Sequence, residues 1–359
     1  MKKKIFWERL ILFVPILILL CISLANMYYV SHTMSGYKNY FLKQSLWFGI
    51  GFVVLFVLSF VNQKLLFRYS KYFYWFNVAL LILVLFFGKT INGSKAWFDF
   101  YFFSFQPSEL MKFSLTLYLS QFLAYSNKKN GRQEWKIILK VLFLTFIPSL
   151  FVFLEPDTGA ILIYFIIMIG MILVYHIHYK WYLFIGIFAL VFLGIFGYLY
   201  YFNQDLLIKL IGTSFFYRVD RILTFVNQDS FQLDRALISI GTSNLFGGSN
   251  GVYIPEAPTD FVVALTISHL GIISFIAILI CFFVLDFYFF IKLFKMNNKK
   301  YKYFIAGFLA MFIFAQIQNI GMNLGIFPII GLPLPFVSYG GTNIIVYFMF
   351  LGVLANMEK

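Results

Sequence analysis

Apolar residues run along this chain in long blocks separated by short polar turns, without the alternation that marks half-buried strands. Near-uncharged stretches of roughly 18 or more residues are long enough to cross a hydrocarbon core of about 30 Å at about 1.5 Å per residue, so each predicts a membrane-spanning helix. Ten such spans are predicted, at about 10–30, 44–61, 72–88, 109–125, 141–154, 160–176, 182–202, 262–286, 303–323 and 339–356. The expected fold class is an all-α polytopic membrane protein, with residues 1–359 forming a single integral-membrane domain. The first block is too long for the apolar part of a secretory signal and lacks a small-residue cleavage pattern, so it is expected to stay as a span.

Composition sharpens this picture. With 62% hydrophobic residues, 50 Phe and only 12% charged residues, a soluble globule is excluded. The charges also orient the spans. The basic clusters Lys2–Lys4, Lys128–Lys140 and Lys292–Lys302 fall on one side, and most acids, including Asp99, Glu155, Asp157, Asp234, Glu256 and Asp260, fall on the other. By the positive-inside rule both termini are predicted to be cytoplasmic, with a large extracellular loop at about 203–261 between the seventh and eighth spans. The net charge of +14 then reports topology and contact with anionic membrane lipid, and carries no nucleic-acid signal. Cys21 and Cys281 lie in apolar spans, without the spacing of a zinc site or a disulfide framework. There is no Walker loop, GxGxxG or HExxH, and His32, His176, His178 and His269 make no ligand cluster.

Sequence complexity concentrates on the predicted outer side. Three segments, 89–109, 203–260 and 324–342, mix Gly, Pro and polar residues with aromatics; their polar groups cannot face lipid, so they must fold over the bundle or line a cavity. Within the middle segment the apolar runs 206–211 and 233–240 predict short helices. Glu109 and Lys112, three apart, share one helix face at the start of the fourth span. Glu155-Pro156-Asp157 makes a tight turn, and Gln316, Gln318 and Asn319 lie inside the ninth span, where interhelical hydrogen bonding is the plain explanation. Arg218, Arg221 and Arg235 offer guanidinium forks suited to phosphate oxygens, with lipid headgroups as the competing partner.

The segment Tyr253–Gly271, YIPEAPTDFVVALTISHLG, places Glu256 and Asp260 in a Pro-punctuated loop leading into an apolar span. A carboxylate beside hydrocarbon costs several kcal/mol unless it is paired or wet, which marks it as functional. The competing reading is that Thr259 or Asp260 caps the helix that follows.

These motifs, in this order, resemble the SEDS family (RodA/FtsW/SpoVE) of shape, elongation, division and sporulation proteins. The matches are FSFQPSELMKF at 103–113, EPDTGA at 155–160, DRILTF at 220–225, RALISIG at 235–241, LFG at 245–247, PEAPTDF at 255–261 and PIIGLPLPFVSYGG at 328–341. The resemblance implies a peptidoglycan glycosyltransferase that polymerises lipid II at the outer face of the cell membrane, in elongation, division or sporulation, together with a class B penicillin-binding protein. A lipid II flippase without polymerase activity is the alternative; an ion-coupled transporter fits less well, since no matched pair of broken helices lies near the midplane. The resemblance makes Asp260 the catalytic residue, acting as general base on the acceptor hydroxyl, and a divalent cation (Mg or Mn) held by Asp260 is an alternative or additional role. Lys112, Glu109, Asp157, Arg221 and Ser338 fall on family positions that line or brace the cavity, with Lys112 and Arg221 expected near the diphosphate.

Three departures accompany the likeness. Ala96 stands where an arginine is usual in the family, so either Lys95 takes over its contact with an anion or that contact is missing. The loop between LFG and PEAPTDF is shortened. Ser268 and His269 replace acidic residues, which puts a titratable group near the presumed base.

Overall fold

The computed structural model describes residues 2–34, 36–91, 94–100, 103–126, 134–204, 206, 209, 231–248 and 253–357. The apolar blocks form helices α1 (Lys2–Thr33), α2 (Tyr40–Phe60), α4 (Ser70–Phe87), α5 (Pro107–Tyr125), α6 (Glu134–Leu154), α7 (Thr158–Tyr175) and α8 (Tyr179–Phe202), with a short α3 (Gln63–Arg68) between α2 and α4. After α9 (Phe231–Gly241) come α10 (Val262–Leu270), α11 (Ile272–Lys295), α12 (Lys299–Asn323) and α13 (Gly341–Ala355). Seven of these (α1, α2, α4, α6, α7, α11 and α12) are long and apolar enough to cross a membrane, which makes this a multi-pass membrane protein.

Helix α12 is the centre of the bundle. Nearly three-quarters (72%) of its most apolar window is buried, against 17% for α2, whose outward face carries Leu42, Leu46, Val53, Phe56 and Phe60. It packs on α5, α7 and α11, and meets α7 where Gly170 faces Ala306 and Ala310. Small residues at such crossings let backbones approach closely, which replaces the hydrophobic drive that lipid cannot supply. Helix α13 lies along α2 in the same manner, with Gly352 against the Leu55 carbonyl.

Two expectations need correction. The chain is not purely helical: Lys89–Ile91, Ser94–Phe100 and Phe103–Phe105 form an antiparallel sheet, β1-β2-β3, pairing Ile91 with Ser94 and Phe100 with Phe103. A signal for it exists in the Asn92-Gly93 dipeptide between the first two strands, the residue pair that two-residue hairpins favour. The predicted eighth span is also broken. Gly271 adopts φ +86, ending α10 and starting α11, because residues 244–248 dock onto the break. Gly248 N–H donates to the Ser268 carbonyl (3.1 Å), and Ile272 N–H to that of Asn244 (3.3 Å). A Cβ at Gly271 would sit 2.2 Å from the Leu245 oxygen, so only glycine permits this backbone-to-backbone approach. The fifth span is longer than expected, since α6 already begins at Glu134.

Helix α9 covers the predicted run 233–240 and buries Leu233, Ala236 and Ser239 against α10 and α12. Of the run 206–211, residues 207, 208, 210 and 211 lie outside the described residues.

Candidate active site

A cavity of about 800 Å³ opens at one end of the bundle, and the segments singled out in the sequence converge on it. Its walls are the first turns of α2, the sheet, the start of α5, the Pro156-Asp157 turn, the loop before α10, the 331–333 stretch and the start of α13. Four carboxylates line it: Glu109, Asp157, Glu256 and Asp260.

The loop bearing Asp260 is held from several sides. The Glu256 carbonyl accepts from the N–H groups of Thr259 (3.2 Å), Asp260 (3.1 Å) and Phe261 (3.2 Å), winding the loop around one oxygen. From α12, the Asn319 and Asn323 side-chain amides each donate to the Asp260 carbonyl at 3.0 Å. Asn319 also holds the Leu332 carbonyl (2.7 Å), and the Asn323 side-chain oxygen accepts from Ala264 N–H (3.0 Å). Buried Ser338 donates to the Thr259 carbonyl (2.6 Å), and Tyr339 N–H to that of Pro258 (2.8 Å). These bonds order the backbone while leaving the Asp260 carboxylate without a hydrogen-bond or ion-pair partner among the described residues. Burial first, then the negative charges of Glu256 and Asp157, push its pKa up to about 7. Gly331, at φ +72, faces it: a Cβ there would lie 3.4 Å from Asp260 Oδ2. The capping expectation is not met, because Phe261 occupies the N-cap position of α10 and no side chain caps that helix.

The other acids differ in kind. Asp157 is satisfied, accepting from Gln106 Nε2 (2.9 Å), Ser108 Oγ (3.2 Å) and Ala160 N–H (3.0 Å), and it caps α7. Glu109 lines the cavity with one oxygen on Lys112 Nζ (2.6 Å), while its Oε2 has no partner among the described residues. Glu256 Oε2 accepts from Thr259 Oγ1 (3.1 Å). Glu155 is fully buried, neither carboxyl oxygen has a partner among the described residues, and burial followed by the charge of Asp157 pushes its pKa up to about 9. The Ser94 hydroxyl of β2 donates to the Glu155 carbonyl.

Two of the expected basic residues lie off the cavity wall. Lys112 is buried against Glu109 and does not line the cavity; Lys95 Nζ donates to the Phe86 carbonyl (2.9 Å) and points away. Ser338 braces the loop without lining the cavity. Arg218 and Arg221 lie outside the described residues. His269 stacks on Tyr29 of α1 (ring centroids 4.0 Å apart) and is not a lining residue. The lining residue that sequence reasoning missed is Lys43, whose signal is a lysine in the first turn of a lipid-facing helix.

A metal would need ligands. Among the described residues no three His, Cys, Asp or Glu groups come together as a set that could hold one by themselves.

The cell cycle protein family model that groups FtsW, RodA and SpoVE matches residues 4–359, and the chain belongs to that family. Peptidoglycan glycosyltransferase MrdB of Helicobacter pylori is 28% identical over 356 residues, covering 96% of this chain and 88% of the relative. Probable peptidoglycan glycosyltransferase FtsW of Coxiella burnetii is 32% identical over 357 residues (94% and 91%), and stage V sporulation protein E of Bacillus subtilis is 30% identical over 370 (98% and 96%). Among solved structures, the rod shape determining protein RodA of Thermus thermophilus superimposes with a TM-score of 0.68 at 26% identity, covering 95% of this chain and 93% of that one. A chain of a peptidoglycan synthase complex that coordinates polymerization and crosslinking shares the fold, with a TM-score of 0.78 at 24% identity over 95% of this chain and 96% of that one.

Proposed function

We propose that the chain is a peptidoglycan glycosyltransferase that polymerises lipid II, with ten spans, cytoplasmic termini, the 203–261 loop outside and the cavity open to the extracellular face of the membrane. The observation that carries this reading is the Asp260 carboxylate, fixed by its backbone, turned to the cavity and without a partner among the described residues. A group with a pKa near 7 is matched to general-base work at neutral pH, being half ionised and still basic enough to accept a proton.

In the reaction, Asp260 takes the proton of the acceptor sugar 4-hydroxyl as that oxygen attacks the anomeric carbon of the donor. The new glycosidic C–O bond forms as the bond from that carbon to the diphosphate oxygen breaks; undecaprenyl diphosphate leaves and the proton stays on Asp260 until solvent removes it. A flippase would need a similar cavity but no base, so a partnerless, loop-clamped carboxylate favours the polymerase. A class B penicillin-binding protein is the expected partner, because a glycan polymerase needs a transpeptidase to crosslink its product.

The test is to supply lipid II to the purified chain together with its cognate transpeptidase and to resolve the products on a gel. Glycan ladders are expected from the wild type and not from Asp260→Ala; equal ladders from both would remove the mechanism.

A further inference from the structure

A lipid-linked diphosphate brings negative charge to a cavity whose described walls already hold four carboxylates. Of the cations expected to offset that charge, Lys112 is bound to Glu109 and Lys95 reaches the Phe86 carbonyl, while Arg221 lies outside the described residues. Lys43 is the one Lys or Arg among the described residues that line the cavity. It is exposed, takes part in neither ion pair formed among the described residues, and its ammonium is held by no hydrogen bond there. Its place in the helix is unfavourable. Tyr40 begins α2, so Lys43 stands in the first turn, where the helix dipole disfavours a cation. A local conflict of that kind is expected at functional sites, where a nearby anion resolves it.

The residues that follow give the anion a tail. Leu46, Trp47 and Ile50, at i+3, i+4 and i+7 from Lys43, share its helix face and line the same cavity. Leu46 is 66% exposed and Ile50 45%, so this wall of the cavity continues onto the lipid-facing side of α2. Trp97, Phe103 and Ile345 form apolar wall as well, and Trp47 meets Phe103 edge-on at 6.1 Å. One helix face therefore presents an ammonium at the cavity mouth and an apolar stripe running down into the hydrocarbon.

We infer that Lys43 binds the diphosphate of the polyprenyl-linked substrate, and that the polyprenyl chain leaves the cavity along Leu46, Trp47 and Ile50. This rests on the glycosyltransferase reading for its substrate class and adds the residue that receives the anion. An ammonium on a diphosphate is a charge-assisted hydrogen bond, so its removal should weaken binding roughly 10- to 100-fold.

The test uses the full chain in lipid nanodiscs with three probes: undecaprenyl diphosphate, undecaprenol and inorganic pyrophosphate. Undecaprenyl diphosphate is expected to bind the wild type and Lys43→Arg comparably and Lys43→Met at least 10-fold more weakly, with undecaprenol indifferent to the substitution and pyrophosphate weak on all three. In the polymerisation assay Lys43→Met should raise KM for lipid II while kcat and the pH profile hold, a split that a merely structural residue would not give. Unchanged binding of undecaprenyl diphosphate to Lys43→Met would overturn the inference. So would pyrophosphate binding as tightly as the lipid, since the apolar stripe would then contribute nothing. A wild type that binds no polyprenyl diphosphate would instead sink the reading on which the inference rests.

Discussion

Glu155 is fully buried and Asp260 partly so, and both have raised pKa values, yet their settings ask different things of them. Asp260 faces a cavity and lies near 7, so its base form appears as pH rises through that value. Glu256 is the largest charged contributor to that rise. Glu256→Gln removes a negative neighbour, stabilises ionised Asp260 and should move the acidic limb of the pH–rate curve to lower pH; a limb that stays in place would show that Glu256 does not tune the base. Glu155 precedes the lining residues Pro156 and Asp157, and neither of its oxygens has a partner among the described residues. Its pKa rises from 4.5 to about 9, so between those values the folded protein keeps a proton that the unfolded chain has lost, and stability falls as pH rises across that window. Glu155→Gln holds the neutral shape without a proton to lose. Thermal unfolding in detergent should find it gaining on the wild type by a few degrees as pH rises toward 9, whereas parallel pH profiles would contradict the assignment.

At the scale of elements, most helices were legible because a bilayer demands long apolar runs, and the predicted ends fall within a few residues of those observed for α2, α4, α5 and α7. The break at Gly271 was not, because it depends on what packs against it, and the sheet left only the Asn92-Gly93 turn pair as a signal. Strand β2 is rich in aromatics with no clean alternation, and nothing local in residues 262–286 announces that residues 244–248 will dock there. The Glu109–Lys112 pair was legible as one helix face on α5, but its burial was not, since that depends on how the neighbouring helices enclose it. With side chains only 8% and 4% exposed, the pair should obey the asymmetry of buried ion pairs. Lys112→Met alone leaves a buried carboxylate exposed to repulsion and should cost about 3–5 kcal/mol. Adding Glu109→Gln should recover most of that loss in the same unfolding assay. Additive losses in the double variant would mean that the two groups act independently.

Across the whole molecule, Glu109, Asp157 and the pair Glu256 and Asp260 lie on three separate segments of the sequence, and the fold brings all four acids to one cavity. That convergence could be expected from family motifs, but not the charge balance within it. Lys112 and Lys95 are spent on internal partners, and the cation that does face the cavity, Lys43, sits in a helix whose sequence reads as plain lipid-facing span. The ordering of the Asp260 loop by Asn319 and Asn323 was likewise hidden, because polar residues within a span look the same whether they bridge helices or clamp an active-site loop. The most direct measurement is the initial rate of lipid II polymerisation by the chain and its transpeptidase, for wild type and Asp260→Asn, across pH 5 to 9. The account predicts a wild-type rate that climbs through about pH 7 and then levels, and a variant slower by about 10²- to 10⁴-fold with no such limb. A variant that keeps both the rate and the limb would show that Asp260 is not the base.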